Sequence, residues 1–194
     1  LRTIAVLPVI LFHAGILGFG GGYVGVDIFF VISGHLITSI ILEEQNQGRF
    51  SIINFYERRA RRILPALIWV LMLTSIASFA LMSPGELEDY SNSLISVVTF
   101  SSNIFFYLQS GYFSMASDEK PLLHTWSLAV EEQYYLMFPV LLIFLSRFKK
   151  LITIICVVFL FIASLSFSFF ENSFDQGANF YLLPSRLWEL LIGA

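Results

Sequence analysis

The sequence predicts an all-α membrane protein, a polytopic bundle of transmembrane helices, on three observations. Of its 194 residues, 57% are hydrophobic and 13% are charged, whereas a soluble domain carries about 25% charged residues. One water-soluble core of this length could not bury so much apolar surface, which includes 21 Phe, 8 Tyr and 3 Trp. Several apolar stretches approach the roughly 20 residues that a helix needs to cross a bilayer. This composition excludes soluble, disordered, disulfide-rich and nucleic-acid-binding proteins.

The apolar stretches predict about six to seven spans in a single domain over residues 1–194. Residues 3–15 and 24–42 are separated by a glycine-rich turn, so they predict a helical hairpin. Residues 63–82 and 151–170 are the clearest spans, because each contains twenty residues without a charged side chain. The other candidates are residues 94–108, residues 125–145 and the stretch that starts at Leu183.

Charges in the loops predict the orientation, since basic short loops stay on the cytoplasmic side. A loop predicted over residues 43–62 holds five arginines, which places it and the N-terminus in the cytoplasm. The loops at residues 83–93 and 171–182 have acidic residues and no Lys or Arg, so they are predicted outside with the glycine turn. The basic run at residues 147–150 would also face outward if residues 94–108 crossed fully. Because basic loops are expected in the cytoplasm, residues 94–108 are predicted to form a short interfacial or re-entrant segment that does not cross the membrane fully.

Ionisable residues inside the spans are the candidate functional residues, because charge is costly in hydrocarbon. Arg2 and His13 are eleven residues apart, so on a helix they share one face with a separation of about 16 Å. This stripe suits a long anionic ligand that enters from the cytoplasm and a proton transfer at its tip. The alternative is that Arg2 only anchors the helix and His13 makes a hydrogen bond between helices.

Asp27 follows the glycine turn at the start of the second span. A hydrogen bond from His13 to this carboxylate would fix the imidazole tautomer and raise its basicity. Asp27 could equally favour the helix dipole and structure the turn. Gly34, in the middle of the same span, is interpreted as a residue that permits close helix packing.

An arginine cluster precedes the span at residues 63–82. Juxtamembrane arginines usually bind lipid phosphates and fix topology. Guanidinium groups also bind phosphates bidentately, so the cluster could hold a nucleotide-bearing cosubstrate at the cytoplasmic mouth. The cluster consists of Arg58, Arg59, Arg61 and Arg62.

A polar stripe marks the start of the span at residues 125–145, with several members at helical spacing on one face. Two adjacent carboxylates, Glu131 and Glu132, cannot both be interfacial residues, so at least one is predicted to face inward. A proton relay or a hydroxyl-binding site would explain the stripe. No metal-ligand pattern or phosphate-binding glycine motif accompanies it in the sequence. The stripe contains His124, Trp126, Ser127, Glu131, Glu132 and Tyr135.

Four features together resemble the acyltransferase-3 family of integral-membrane O-acyltransferases, which modify bacterial surface polysaccharides. They are the Arg2-to-His13 spacing, GGYVGVDIFFVISG at residues 21–34, FYERRARRILP at residues 55–65 and HTWSLAVEEQYY at residues 124–135. The resemblance implies a domain of roughly ten helices. Because the chain starts and stops within apolar runs, we expect it to be the truncated N-terminal portion of that domain.

The resemblance also implies a reaction, the transfer of an acyl group, expected to be acetyl, from cytoplasmic acyl-CoA to a polysaccharide hydroxyl. His13 becomes the expected general base, with Asp27 and Glu131 as its catalytic partners. Arg2 and the arginine cluster become contacts for the CoA phosphates, and the remaining polar stripe becomes an acceptor-binding or relay group.

Further expectations concern location and partners. The resemblance implies a multi-pass protein of the bacterial inner membrane, with acyl-CoA, a carbohydrate acceptor such as lipopolysaccharide, and the lipid bilayer as partners. Similar proteins often add a periplasmic esterase-like domain. No bound cofactor, metal or nucleic acid is expected, since acyl-CoA is a cosubstrate.

The main alternative is a proton-coupled secondary transporter or flippase, in which the same residues would couple protons to substrate movement. The sequence has no detectable inverted repeat, which weakens this alternative. A scaffold or sensor would leave His13, Asp27 and Glu131 without a role.

Overall fold

The computed structural model describes residues 2–110 and 120–194, and for Arg2 it describes the backbone alone. These residues are mainly helical and contain no strand, so the all-α prediction is confirmed. The helices are α1 (Arg2–His13), α2 (Gly25–Asn46), α3 (Ile52–Leu81), α4 (Pro84–Val98), α5 (Ser102–Leu108), α6 (Thr125–Leu145), α7 (Lys150–Phe174), α8 (Gln176–Tyr181) and α9 (Leu183–Ile192).

Four of the described helices are long and apolar enough to cross a membrane, namely α2 with the turn before it, α3, α6 and α7. The spans predicted at residues 24–42 and 63–82 fall within α2 and α3. Those predicted at residues 125–145 and 151–170 match α6 and fall within α7. Both α1 and α9 are apolar but shorter, with 12 and 10 residues.

The turn between α1 and α2 depends on glycine. Gly18 has a φ of 97°, a conformation that side chains other than glycine rarely adopt. A Cβ on Gly22 would collide with the carbonyl oxygen of Pro8, and one on Gly25 with that of Ala5. These contacts run in opposite directions along the two helices, so α1 and α2 are antiparallel and the predicted hairpin is confirmed.

The contact between α2 and α9 is equally close. A Cβ on Gly34 would collide with the carbonyl oxygen of Leu190, and one on Gly193 with that of Val31. Gly34 therefore allows two helix backbones to touch, which confirms its interpretation as a packing residue.

The loop predicted over residues 43–62 is wrong, because α2 continues to Asn46 and α3 already begins at Ile52. The hydroxyl of Ser51 accepts a hydrogen bond from the backbone nitrogen of Asn54 at 3.4 Å and caps the helix. Glu, Arg and Ala are good helix formers, so the helix extends back through the arginine cluster. At 30 residues, α3 is about 45 Å long, which exceeds the roughly 30 Å hydrocarbon core.

The loop predicted over residues 171–182 is also largely helical, since α7 extends to Phe174 and α8 follows it. Asp175 separates these helices and caps α8, where its carboxylate accepts from the backbone nitrogen of Ala178 at 2.9 Å. Polar residues at this end therefore cap helices rather than form an irregular loop.

Residues 94–108 do not form one helix. α4 begins well before them, at Pro84, so the loop predicted over residues 83–93 is wrong: Ser83 and Glu86 form a capping box that starts the helix. α5 contains only seven residues.

Between α4 and α5, Phe100 has a φ of 52°, and the hydroxyls of Thr99 and Ser101 are 2.7 Å apart. Hydroxyl groups that bond locally compete with the helical ladder, which explains the break. That residues 94–108 do not cross the membrane stays a prediction.

The chain forms two compact units. One consists of Leu1–Glu43 and Val130–Ala194, and the other is Glu44–Ala129. The first unit contains α1, most of α2, most of α6, and α7 to α9; it carries His13, Asp27 and Glu131. The second unit contains α3 to α5 and the start of α6, and it carries the arginine cluster.

Candidate active site

Glu131 is the centre of a buried hydrogen-bonded cluster between α2 and α6. The residue is 3% exposed, so it is an inward-facing member of the adjacent carboxylate pair, as the sequence required. Ser33 donates its hydroxyl to Oε1 of Glu131 at 2.6 Å, and the Tyr135 hydroxyl donates to the same oxygen. Tyr135 lies one turn after Glu131, so helical spacing alone brings these two together. Two donors on one oxygen hold the carboxylate in a fixed orientation.

His13 is the last residue of α1 and is exposed. Its Nδ1 lies 2.9 Å from the carbonyl oxygen of Val9. Because a carbonyl oxygen only accepts hydrogen bonds, the neutral ring carries its proton on Nδ1, and Nε2 has the basic lone pair. The ring also meets Phe12 edge-on, with centroids 5.0 Å apart. This arrangement presents Nε2 as the atom that can accept a proton.

Asp27 is paired with a residue that the sequence reasoning missed. Nη1 of Arg186 donates to Oδ1 of Asp27 at 3.0 Å and to Oε1 of Glu189 at 2.6 Å. Nε of the same guanidinium donates to the carbonyl oxygen of Phe180 at 3.1 Å. The signal was present in the sequence, because Arg186 and Glu189 are ionisable residues in the apolar stretch that starts at Leu183.

The contact between Asp27 and Arg186 also bears on topology. Asp27 follows the glycine turn, and Arg186 follows residues 171–182 closely in the chain. The starts of α2 and α9 are therefore at the same end of their unit, in agreement with the loop charges. Which side of the membrane this is, and whether Asp27 orients His13, stay predictions.

Two members of the arginine cluster form exposed ion pairs. Nη2 of Arg58 lies 2.7 Å from Oε1 of Glu44, and the Arg58 side chain is 51% exposed. Nη2 of Arg61 lies 2.6 Å from Oε1 of Glu57, one turn earlier in α3. Solvent-exposed pairs of this kind are worth about 0–1 kcal/mol, so an incoming phosphate can replace the carboxylate.

The other two members of the cluster differ from each other. Arg59 is buried, with its guanidinium carbon 5.4 Å from the centroid of the Phe55 ring. Arg62 is exposed. The cluster therefore presents Arg58, Arg61 and Arg62 on the surface of α3, whereas Arg59 packs against an aromatic ring.

The rest of the predicted site residues are placed as follows. His124 is exposed, and its backbone carbonyl accepts a hydrogen bond from the Ser127 hydroxyl at 3.2 Å. Trp126 is buried and Glu132 is half-buried. The side chain of Arg2 lies outside the described residues. Among the residues that the structure describes, no group of His, Cys, Asp and Glu is placed to hold a metal ion.

Comparison with known proteins gives the family. Residues 1–194 match the model of the acyltransferase-3 family, which is described as an acyltransferase domain. The chain belongs to this family. A protein of Haemophilus influenzae named only as uncharacterized is 40% identical over 175 residues, which cover 87% of this chain and 71% of that protein.

The acyltransferase-3 chain is also similar to the O-acetyltransferase OatA of Staphylococcus aureus, with 34% identity over 199 residues. This match covers 100% of the chain but 32% of OatA, so the chain spans about a third of that relative. No solved structure matches the chain. The family resemblance is confirmed, and the protein is a membrane acyltransferase.

Proposed function

We propose that this family member is a membrane-bound O-acetyltransferase. It moves an acetyl group from cytoplasmic acyl-CoA to a hydroxyl of a cell-surface or periplasmic polysaccharide, and it is a multi-pass protein of the inner membrane. The observation that carries the proposal is His13 at the end of α1, whose Nδ1 lies 2.9 Å from the Val9 carbonyl oxygen, within a chain that matches an acyltransferase family throughout.

His13 acts as the general base. A sugar hydroxyl is a weak nucleophile until a base takes its proton, and a neutral imidazole suits this task. Nε2 removes the proton as the hydroxyl oxygen bonds to the thioester carbonyl carbon. The carbon–sulfur bond then breaks, and the CoA sulfur takes the proton back from the imidazolium. The products are an ester and free CoA, with no net change in protons.

Charged and polar residues bind the two substrates in this proposal. Arg2 and the arginine cluster hold the phosphates of acyl-CoA, for which planar guanidinium groups are well suited. Glu131 is oriented by Ser33 and Tyr135, and it accepts a hydrogen bond from the acceptor hydroxyl or relays its proton. The other members of the polar stripe line the acceptor side.

The test compares the wild-type protein with its His13→Ala variant in cells that lack surface acetylation of their own. Alkali-labile acetyl esters on surface glycans are counted by mass spectrometry, and release of free CoA is measured in membranes. We expect His13→Ala to lower ester formation at least 100-fold, since a general base contributes about 10²–10⁴-fold to a rate.

The matched control is His35→Ala, because His35 is an exposed histidine of the same hairpin and has no assigned role. Its ester count should equal that of the wild type. Equal counts for the wild type and His13→Ala would remove His13 from the mechanism. Substrate movement without CoA release would instead identify a transporter.

A further inference from the structure

α9 contacts α2 at two positions along the helix axis. Arg186 and Leu190 lie about one turn apart on the same side of α9, and Gly193 follows the last residue of the helix. Asp27 and Gly34 are seven residues apart on α2 and meet Arg186 and Leu190 respectively. The two contacts are therefore separated by about 10 Å along α2. The ion pair of Asp27 with Arg186 and the backbone contact of Gly34 with Leu190 together fix the register between these helices.

Two hydrogen bonds besides the one to Asp27 orient the guanidinium of Arg186. The Phe180 carbonyl holds Nε at 3.1 Å, and Glu189 holds Nη1 at 2.6 Å. The side chains of Arg186 and Glu189 are 17% and 2% exposed, while that of Asp27 is 38% exposed. Asp27 is thus the most accessible member of the triad, Arg186 is half-buried and Glu189 is buried.

The charges explain why this arrangement matters. Two carboxylates share one guanidinium nitrogen, and Oε2 of Glu189 is buried without a hydrogen-bond partner among the described residues. If Arg186 were lost, a buried carboxylate and a second carboxylate nearby would have no cation between them. Such an uncompensated buried charge at Glu189 is strongly unfavourable, and it repels Asp27, so the more accessible Asp27 would turn away from its present position.

A displacement of Asp27 would also displace the end of α1 that carries His13. The turn before α2 packs against α1, where the Tyr23 ring meets the Phe12 ring edge-on with centroids 5.8 Å apart. Phe12 precedes His13 directly in the chain. The start of α2 therefore supports the helix end that presents the imidazole.

We propose that Arg186 is a positioning residue for the transfer reaction, which holds Asp27 and through it the α1–α2 turn beside His13. This inference rests on the proposed acetyl transfer. Arg186 itself touches neither substrate, so its loss should lower kcat while the KM for acetyl-CoA stays nearly constant.

The experiment uses the full-length protein in detergent or liposomes, with acetyl-CoA and a glycan acceptor, and measures kcat and KM separately. Arg186→Lys keeps the positive charge but has all its donors on one nitrogen, so it cannot reproduce the separate positions of Nη1, which meets the two carboxylates, and Nε, which meets the Phe180 carbonyl. We expect its kcat to fall by about 10- to 100-fold, a loss typical of small misplacements, with KM for acetyl-CoA within about 3-fold of wild type.

A double variant tests whether Arg186 acts through Asp27. Asp27→Asn should lower kcat to a similar degree, and the variant with both changes should be no more than about 3-fold worse than either, because coupled residues are not additive. Arg147→Lys is the matched control, since Arg147 is exposed in the loop between α6 and α7, and its kcat should be unchanged.

Two results would overturn the inference while acetyl transfer stands: a kcat of Arg186→Lys within about 3-fold of wild type, or losses that multiply in the double variant. A wild-type protein that transfers no acetyl group would overturn the proposed function, and the positioning role with it. Arg186→Lys and Asp27→Asn are conservative in size, so both variants are expected to fold and the comparison of kcat values can be made.

Discussion

Two ion pairs of equal length lie in opposite environments. One pair joins Arg61 to Glu57 in α3, and the other joins Arg186 to Glu189 in α9. In each pair the nitrogen and oxygen atoms are 2.6 Å apart, and the two residues lie about one helical turn from each other. The side chains of the first pair are 79% and 51% exposed, and those of the second are 17% and 2% exposed. The length of an ion pair therefore says little about its role, because desolvation decides what its loss would cost.

The difference agrees with the two proposed roles. In α3, water can solvate Arg61 as soon as it leaves Glu57, so the guanidinium can turn to a phosphate at little cost. In α9, Arg186 has no comparable access to water, and both of its carboxylate partners depend on it. An exchangeable pair suits ligand binding, and a fixed pair suits positioning.

The largest expected difference is between the free energies of unfolding of two variants, one without Arg186 and one without Arg61. Arg186→Gln should lower the free energy of unfolding by about 3–5 kcal/mol, because it leaves buried charge uncompensated. Arg61→Gln should change it by less than about 1 kcal/mol, because water replaces the partner. Unfolding of both variants in the same detergent measures the difference. Similar losses would mean that burial does not distinguish the two pairs.

A smaller effect is expected from glycine substitutions in the two units. Gly34→Ala should destabilise the protein by about 1–3 kcal/mol, because its Cβ meets the Leu190 carbonyl and the helices must separate. Gly85→Ala, in the first turn of α4, meets no atom within 4 Å and should stabilise by up to about 1 kcal/mol. Thermal unfolding of the two variants checks the opposite signs. A neutral Gly34→Ala would show that α2 and α9 adjust easily.

The smallest effect concerns Glu86, an exposed carboxylate that caps α4. Its side chain accepts a hydrogen bond from the backbone nitrogen of Ser83 at 2.7 Å, and this bond lowers the pKa of Glu86. A lowered pKa in the folded state adds stability above the unfolded value, and this is lost as the pH falls through the folded value. The Tm of the wild type should therefore slightly exceed that of Glu86→Gln at pH 7. The two Tm values should converge as the pH falls through the folded pKa of Glu86, and a difference that stays constant with pH would contradict the capping role.

Local features of the sequence predicted much of the fold. Hydropathy placed residues 125–145 with the same bounds as α6 and located the main parts of α2, α3 and α7. The errors lie in polar stretches, at residues 43–62, 83–93 and 171–182, because hydropathy does not detect helical turns that are polar. Ser51 and Asp175, which cap α3 and α8, were the local signals for those turns.

The candidate site was only partly predictable. Helical spacing placed Glu131 and Tyr135 on one face, and the family resemblance supplied the role expected of His13. The cost of charge in hydrocarbon selects Asp27, and by the same reasoning it selects Arg186 and Glu189, which the sequence analysis missed. No pattern in the sequence indicated which partner Asp27 would have.

The sequence by itself determined the helical membrane class and the family, because apolar length, helical spacing and contiguous motifs are local properties of the chain. Only the tertiary structure decided that Asp27 pairs with Arg186, 159 residues later, and Ser33 with Glu131, 98 residues later. Periodicity fixes the face of a helix on which a residue lies. The partner on that face is decided by which helix packs there, and glycine contacts such as Gly34 with Leu190 set how closely it does so.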